Sequence, residues 1–143
     1  MSPDQIDVSV VVPLLDEEAT LEELVARLKA VLSSRGGRYE IVLVDDGSRD
    51  RTREILRRLE SGDPVVRVFE LTRNFGQAAA VVCGLFAARG RMVVTLDGDL
   101  QNPPEEIPKL LDALEKGADI ATAKRSQRYE GFGRWLGSRA IHF

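Results

Sequence analysis

The feature of this sequence that most constrains its fold is a regular alternation of two hydrophobic patterns. Short apolar runs rich in β-branched residues alternate with longer segments whose apolar residues recur every three to four positions. The short runs predict five strands, at residues 8–12, 39–44, 65–71, 92–96 and 120–123. The longer segments predict helices at residues 17–33, 51–60, 76–88 and 104–116, with a further helix over 131–143. This series predicts the α/β class, with a mostly parallel central sheet and helices on both faces.

Length, charge and the scarcity of cysteine and histidine narrow the class of protein. The 143 residues suffice for one domain with a buried core. A net charge of −3 provides no basic field, so we expect no nucleic-acid partner. Cys83 is the only cysteine and His142 the only histidine, which argues against a disulfide framework and a Ser–His pair. There is no apolar signal segment and no apolar run of roughly 18 residues, so we expect the chain as given to be cytoplasmic.

Polar residues cluster where each predicted strand ends. The first strand is followed by PLLDEE, the second by DDGS, the third by TRNFGQ, the fourth by DGDLQ and the fifth by Lys124 and Arg125. In parallel α/β sheets the carboxyl ends of the strands lie at one edge, and ligands bind there. The sequence therefore predicts one site assembled from acids, amides and bases of five segments.

The turn after the fourth predicted strand carries two carboxylates, Asp97 and Asp99, on either side of Gly98. Gly98 has no Cβ, which permits a tight turn and the close approach of a ligand. Two carboxylates on one short turn repel each other, and a hard divalent cation such as Mg²⁺ or Mn²⁺ would relieve that repulsion. The alternative interpretation is a plain turn before a helix that starts near Pro104, because so short a motif often occurs by chance. The DDGS segment has the same alternative, a turn with a helix N-cap.

Taken together, four sequence blocks resemble glycosyltransferase family 2. They are VSVVVPLLDEE, EIVLVDDGSRDRT, LTRNFGQAAAV and VVTLDGDLQNPPEEIPKLL, in the order and spacing of the family. Within it, the likeness is greatest to the polyprenyl-phosphate glycosyltransferases, the group of dolichyl-phosphate mannose synthase and the undecaprenyl-phosphate sugar transferases. The resemblance implies the GT-A fold, a Rossmann-like nucleotide-sugar-binding domain. It also implies metal-dependent, inverting transfer of a sugar from a UDP- or GDP-sugar to a polyprenyl (dolichyl or undecaprenyl) phosphate.

The resemblance also implies roles for individual residues. Catalytic roles fall on Asp97, Asp99 and Arg125, and the metal ligands are Asp97, Asp99 and Gln101. The donor-binding residues are Pro13, Leu15, Glu17, Val44, Asp45, Asp46, Arg73, Gln77, Asp97, Gly98, Asp99 and Arg125. Within that set, Pro13 and Glu17 line the base and ribose pocket, and Asp45 or Asp46 contacts the nucleobase. Arg73 and Gln77 lie at the rim of the site, and Arg125 lies near the donor or acceptor phosphates.

The chain departs from the family pattern at two positions and in length. Leu15 and Asp16 stand where the family usually has Tyr-Asn, which removes an aromatic base contact and adds a charge. Gly98 replaces the commoner alanine, a change that we expect to be tolerated. Family members continue well beyond Phe143. We therefore expect a donor-binding domain at residues 1–124 and the start of an acceptor and membrane-interface region at 125–143.

Several alternatives to a complete transferase stay open or are disfavoured by the order of the motifs. A donor-binding module without transfer activity is expected if the 143 residues act alone. A phospho-receiver signalling domain also gathers acids and a lysine at strand ends, but its strands follow another order. A sugar nucleotidyltransferase would carry a Gly-rich phosphate loop after its first strand, and none occurs here. The arginines and aromatics of 125–143 fit either a solvated surface or a segment that meets anionic headgroups, which would place the full-length protein at the cytoplasmic face of a membrane.

Overall fold

The computed structural model describes residues 4–123, and these form the alternating α/β arrangement that the sequence predicts. The strands are β1 (Val8–Leu14), β2 (Tyr39–Asp45), β3 (Val66–Glu70) and β4 (Met92–Thr95). The helices are α1 (Leu21–Arg35), α2 (Thr52–Gly62), α3 (Gln77–Ala87) and α4 (Ile107–Glu115), and a 3₁₀ turn (Pro104–Glu106) leads into α4. The helix predicted over 131–143 and the residues Lys124 and Arg125 lie outside the described part of the chain.

All four strands are parallel and lie in the order β3-β2-β1-β4. β1 is buried along its whole length, and β2 is buried everywhere except at Tyr39, which is partly exposed. This burial explains why both central strands have nearly continuous apolar sequences, since strands covered on both faces need no polar alternation. The register pairs Leu14 with Asp45, so the segments that follow β1 and β2 emerge side by side.

Helices α1, α2 and α4 pack on one face of the sheet, and α3 packs on the other. Successive residues of β1 alternate between these layers, with Val10 and Val12 in the larger core and Val11 in the smaller one beneath α3. The larger core contains the apolar side of α1 and most of the buried leucines. Within residues 4–123, no helix combines the length and the apolar composition needed to cross a membrane.

The predicted fifth strand is wrong for the described residues. The segment 120–123 has no regular secondary structure, and the side chain of Ile120 is 83% exposed. An apolar run becomes a strand only when a neighbouring strand pairs with its backbone. Residues 118–123 instead line a cavity of about 810 Å³ together with the outer edge of β4, so a gap separates the two segments.

The first and the fourth predicted helices also have different boundaries in the structure. The first helix begins at Leu21 rather than at Glu17, because residues 15–20 form the loop that reaches the carboxyl edge of the sheet. The predicted helix 104–116 is divided into a 3₁₀ turn and α4, with Pro108 in the first turn of α4. Proline is tolerated there because the amides of the first helical turn have no intrahelical partner.

Candidate functional site

A cleft of about 390 Å³ opens where β1 and β4 end. The carboxyl ends of parallel strands share one edge of the sheet, and the loops after β1, β2, β3 and β4 meet there. The residues that line the cleft are Pro13, Leu14, Leu15, Glu17, Asp46, Asn74, Gly76, Gln77, Asp97, Gly98 and Asp99. Four of these side chains are carboxylates, and the lining contains no lysine or arginine within the part of the chain that the structure describes. The cleft is therefore acidic and attracts cations.

The turn after β4 is held by hydrogen bonds on both of its carboxylates. The side-chain Nε2 of Gln77 donates to Oδ1 of Asp97 at 2.8 Å, and the backbone amide of Gln101 donates to Oδ1 of Asp99 at 3.0 Å. Asp97 and Asp99 both line the cleft. Gln101, predicted as a metal ligand, does not line the cleft among the described residues, and its contact with this turn is the hydrogen bond from its backbone amide.

Gly98 is the buried middle residue of this turn, and it packs closely against the end of β1. A Cβ built on Gly98 would lie 2.5 Å from Cδ2 of Leu14, which is itself 1% exposed. The carbonyl oxygen of Gly98 also accepts a hydrogen bond from the Thr20 hydroxyl at 2.9 Å. The φ of Gly98 is not positive, so the turn does not need the left-handed backbone that glycine allows. The glycine lets the acidic turn lie directly on the end of β1.

Glu17 faces the acidic turn from the loop after β1. Partial burial raises the pKa of its carboxyl above the ordinary value, the Thr20 hydroxyl lowers it, and the nearby carboxylates, Asp99 foremost, raise it further. The Thr20 hydroxyl lies 3.2 Å from Oε2 of Glu17, so it bridges Glu17 to the Gly98 carbonyl. The sequence patterns did not predict a role for Thr20, although threonine just before a helix is a typical N-cap residue.

The two predicted nucleobase acids have different environments. Asp45 is fully buried: it accepts a 2.7 Å hydrogen bond from Nε of Arg53 and bonds from the Ser48 amide, and it does not line the cleft. Val44 is also buried, in the core under α3, so neither of these predicted donor contacts presents its side chain to the cleft. Of the alternatives Asp45 and Asp46, only Asp46 lines it.

The Asp46 carboxylate fastens the loop that precedes α3. Its Oδ1 accepts a hydrogen bond from the Phe75 amide at 2.8 Å, and its Oδ2 accepts one from the Gly76 amide at 3.1 Å. Gly47 has a φ of +82°, and a Cβ there would lie 2.5 Å from the backbone nitrogen of Asn74. Only glycine therefore lets the loops after β2 and β3 pack this closely.

The charge at Asp16 does not enter the cleft. Asp16 has a φ of +52°, a conformation that Asn and Asp adopt more readily than most residues. Its Oδ1 accepts hydrogen bonds from the amides of Arg49 and Asp50 at 2.8 and 3.3 Å, and its own amide donates to the Ser48 hydroxyl. Asp16 thus joins the loops after β1 and β2. Leu15, which is 42% exposed, lines the cleft as predicted.

The predicted basic residues do not line the cleft among the described residues. Arg73 is exposed, and its guanidinium lies over the ring of Phe75, 4.2 Å from the centroid. This cation–π contact holds the guanidinium against Phe75, and the Arg73 side chain does not line the cleft. Arg125 lies outside the described residues.

The donor set suits a hard cation. Asp97 and Asp99 offer carboxylate oxygens, and within residues 4–123 no group of three or more acidic, histidine or cysteine side chains is arranged to hold a metal ion. An ion bound here would complete its coordination with oxygens of water or of a ligand. Mg²⁺ commonly binds in this way, through one or two carboxylates and the phosphates of a substrate.

The larger cavity of about 810 Å³ adjoins the cleft. Pro13, Gln77 and Asp97 line both spaces, so Asp97 stands between them. A parallel α/β sheet with a cleft at the carboxyl ends of its strands defines a ligand-binding domain of the α/β class.

Residues 9–142 match the sequence family described as glycosyl transferase family 2, and the chain belongs to that family. A protein of Pseudomonas aeruginosa (strain LESB58) named undecaprenyl-phosphate 4-deoxy-4-formamido-L-arabinose transferase is 47% identical over 145 residues, covering 99% of this chain and 42% of the relative. This chain thus spans about two fifths of that relative's length.

Solved structures similar to this chain include two that hold a nucleotide sugar. S. aureus TarS 1-349 in complex with UDP-GlcNAc has a TM-score of 0.63 at 26% identity, covering 78% of this chain and 31% of that one. The mannosyltransferase PcManGT from Pyrobaculum calidifontis, in complex with GDP-Man and Mn²⁺, has a TM-score of 0.58 at 29% identity, covering 66% of this chain and 28% of that one. These similarities and the family match confirm the predicted Rossmann-like GT-A fold.

Proposed function

We propose that this chain binds a nucleoside-diphosphate sugar with a divalent ion, and that the protein transfers the sugar to a polyprenyl phosphate. The observation that carries the proposal is the acidic cleft at the carboxyl edge of the sheet, where Asp97 and Asp99 lie together in a family 2 chain. The acceptor is inferred from the relative's name, which specifies undecaprenyl phosphate. A lipid acceptor would bring the whole protein to a membrane. The segment 125–143, with Arg125, would begin the acceptor side.

Electrostatics supports the requirement for a metal ion. The cleft lining carries four carboxylates and no lysine or arginine within the described residues, so a diphosphate on its own is repelled. Asp97 and Asp99 would hold Mg²⁺ or Mn²⁺, and such an ion supplies Lewis-acid stabilisation of the charge on a leaving diphosphate. The ligands of the two solved relatives, UDP-GlcNAc in one and GDP-Man with Mn²⁺ in the other, leave both UDP- and GDP-sugars as candidates.

The remaining cleft residues have binding and positioning roles. Pro13 and Leu15 offer an apolar surface to the nucleobase, and Asp46 fixes the opposite loop through the amides of Phe75 and Gly76. An acceptor phosphate is already anionic at neutral pH, so it needs positioning more than deprotonation. Attack in line with the departing diphosphate would invert the anomeric carbon.

The experiment is a binding panel on the 143-residue chain, because the residues within 4–123 that line the cleft all lie between positions 13 and 99. Thermal shift and isothermal calorimetry would be measured with UDP-, GDP- and other nucleoside-diphosphate sugars, each with and without Mn²⁺. We expect one nucleotide class to bind, and only with the metal. Asp99→Asn should abolish this metal-dependent binding, whereas Asp4→Asn, a control on an exposed residue that precedes β1, should not. Absence of metal-dependent binding with every nucleotide would refute the donor site.

Transfer is tested separately from binding. A polyprenyl phosphate in detergent or vesicles would be offered with the donor identified above. We expect the 143-residue chain to transfer little sugar, since it spans about two fifths of the relative's length. Rapid turnover would show that the acceptor site is already complete in this chain.

A further inference from the structure

We infer that Gln77 is a positioning residue for Asp97: its side-chain amide fixes one carboxylate oxygen and leaves the other for the donor or its metal ion. This inference rests on the proposed function. Gln77 is the first residue of α3, and Asp97 lies just beyond β4, so the contact joins two separate elements across the cleft. The Nε2–Oδ1 distance is 2.8 Å.

The backbone that carries Gln77 is itself anchored. The Asp46 carboxylate binds the amides of Phe75 and Gly76, and the Asn74 side chain accepts a further bond from the Gly76 amide at 3.1 Å. The loop before α3 is thereby tied to the end of β2, and Gln77 follows it directly. Asp46 is thus linked to Asp97 by hydrogen bonds at each end, with the chain from Phe75 to Gln77 between them.

An amide suits this position better than a charged group. An arginine or lysine would neutralise Asp97 and compete with a cation, and a glutamate would repel it. A neutral N–H donor occupies one lone pair of one oxygen and leaves the remaining lone pairs of the carboxylate free. It also restricts rotation of the carboxylate before a ligand arrives, which reduces the entropy lost on binding.

The size of the effect follows from how such supporting contacts act at metal sites. Removing a hydrogen bond that orients a metal ligand typically lowers the affinity of the site for the metal by on the order of 10-fold to 100-fold. We expect Gln77→Met, which keeps the length of the side chain and removes the donor, to weaken binding of the Mn²⁺–nucleotide complex by about that factor. The side chain of Gln77 is exposed, so the variant should fold with an unchanged unfolding midpoint in the absence of ligand.

Two measurements test the inference. In ligand-free protein, the side-chain amide signal of Gln77 in a ¹⁵N–¹H spectrum should move on Asp97→Ala, while that of Gln5, an exposed residue ahead of β1, should stay. Calorimetry with Mn²⁺ and the nucleotide should show weaker binding for Gln77→Met and unchanged binding for the control Gln5→Met. An unmoved Gln77 signal shows that the contact is absent and overturns the inference.

The calorimetric outcomes separate the inference from the proposed function. If Gln77→Met binds the Mn²⁺–nucleotide complex like wild type while Asp99→Asn does not bind it, the positioning role is wrong and the donor site stands. If wild type does not bind any Mn²⁺–nucleotide complex, the proposed function fails and the positioning role fails with it. The NMR shift then still reports whether Gln77 contacts Asp97.

Discussion

Glu40 offers the sharpest test of how the scaffold beneath the site is stabilised. It lies in β2 near the amino end of the sheet and is 1% exposed. Both of its carboxylate oxygens accept hydrogen bonds. The Ser9 hydroxyl and the Arg89 amide donate to Oε1 at 2.7 and 2.8 Å, and the guanidinium groups of Arg67 and Arg89 donate to Oε2 at 2.8 to 3.0 Å. These contacts tie the connection between α3 and β4 to the central strands.

The magnitude follows from the pKa of this carboxyl. Burial alone would raise the pKa, but the hydrogen bonds from Ser9, Arg89 and Arg67 outweigh burial and lower it from 4.5 to about 2. One pKa unit corresponds to roughly 1.4 kcal/mol, so the ionised carboxylate contributes about 3 kcal/mol to the free energy of unfolding. Because the folded-state pKa is the lower one, this contribution is complete above about pH 4.5 and is lost as the pH falls toward 2.

We therefore expect Glu40→Gln to lower the free energy of unfolding at pH 7 by about 3 kcal/mol. Glutamine has the same shape, but its NH₂ group would face donors and remain unpaired, while Arg67 and Arg89 stay partly in contact with water. The assay is urea denaturation followed by circular dichroism. As the pH falls below 4.5, the difference between wild type and variant should shrink by up to roughly 1.4 kcal/mol per pH unit, because only the wild type titrates at this position.

A matched control is available in Glu70, a strand glutamate whose two oxygens pair with Arg57 at 2.9 Å but near the surface. Glu70→Gln should cost no more than about 1 kcal/mol, because exposed ion pairs contribute little. If Glu40→Gln is as stable as wild type at pH 7, or if its deficit is the same at pH 7 and pH 3, the ionised Glu40 carboxylate does not stabilise the fold.

Three further changes test particular contacts by urea denaturation. Asp45→Asn removes the buried partner of Arg53 and should cost roughly 2 to 3 kcal/mol; an unchanged midpoint would show that the pair contributes nothing. Gly98→Ala should cost about 1 to 3 kcal/mol through its clash with Leu14, and Leu14→Val in the same chain should recover part of the loss; a neutral Gly98→Ala would refute the packing argument. Ile120→Asp should change stability by less than about 0.5 kcal/mol in the 143-residue chain, since this side chain is exposed; a larger loss would indicate a buried fifth strand.

The four strands, the parallel sheet and the position of the cleft follow from sequence patterns that act locally. Continuous apolar runs identify central strands because such strands are buried on both faces, and helical periodicity identifies the segments between them. The DGD turn and the residues Glu17, Asp46 and Gln77 converge because the carboxyl ends of parallel strands share one edge. The family resemblance then predicts the chemistry of these residues.

Other features of the fold and of the cleft depend on contacts between residues that are far apart in the sequence. The apolar run 120–123 resembles a strand in sequence, yet the described chain pairs no strand with it. Likewise, Asp45 and Asp46 are adjacent and chemically identical, but Asp45 is buried beside Arg53 whereas Asp46 lines the cleft. Successive side chains near the end of a strand point to opposite faces of the sheet, and the local sequence does not determine which of them faces the cleft.

The sequence by itself determined the class of fold, the edge that carries the site and the residue types gathered there, because these depend on periodicity and on the parallel topology. Only the tertiary structure decided which acids face the cleft, that Gly98 packs closely against Leu14, and that Gln77 contacts Asp97. Each of these depends on distances between residues far apart in the chain, which are set when the helices pack on the sheet and which no local pattern encodes.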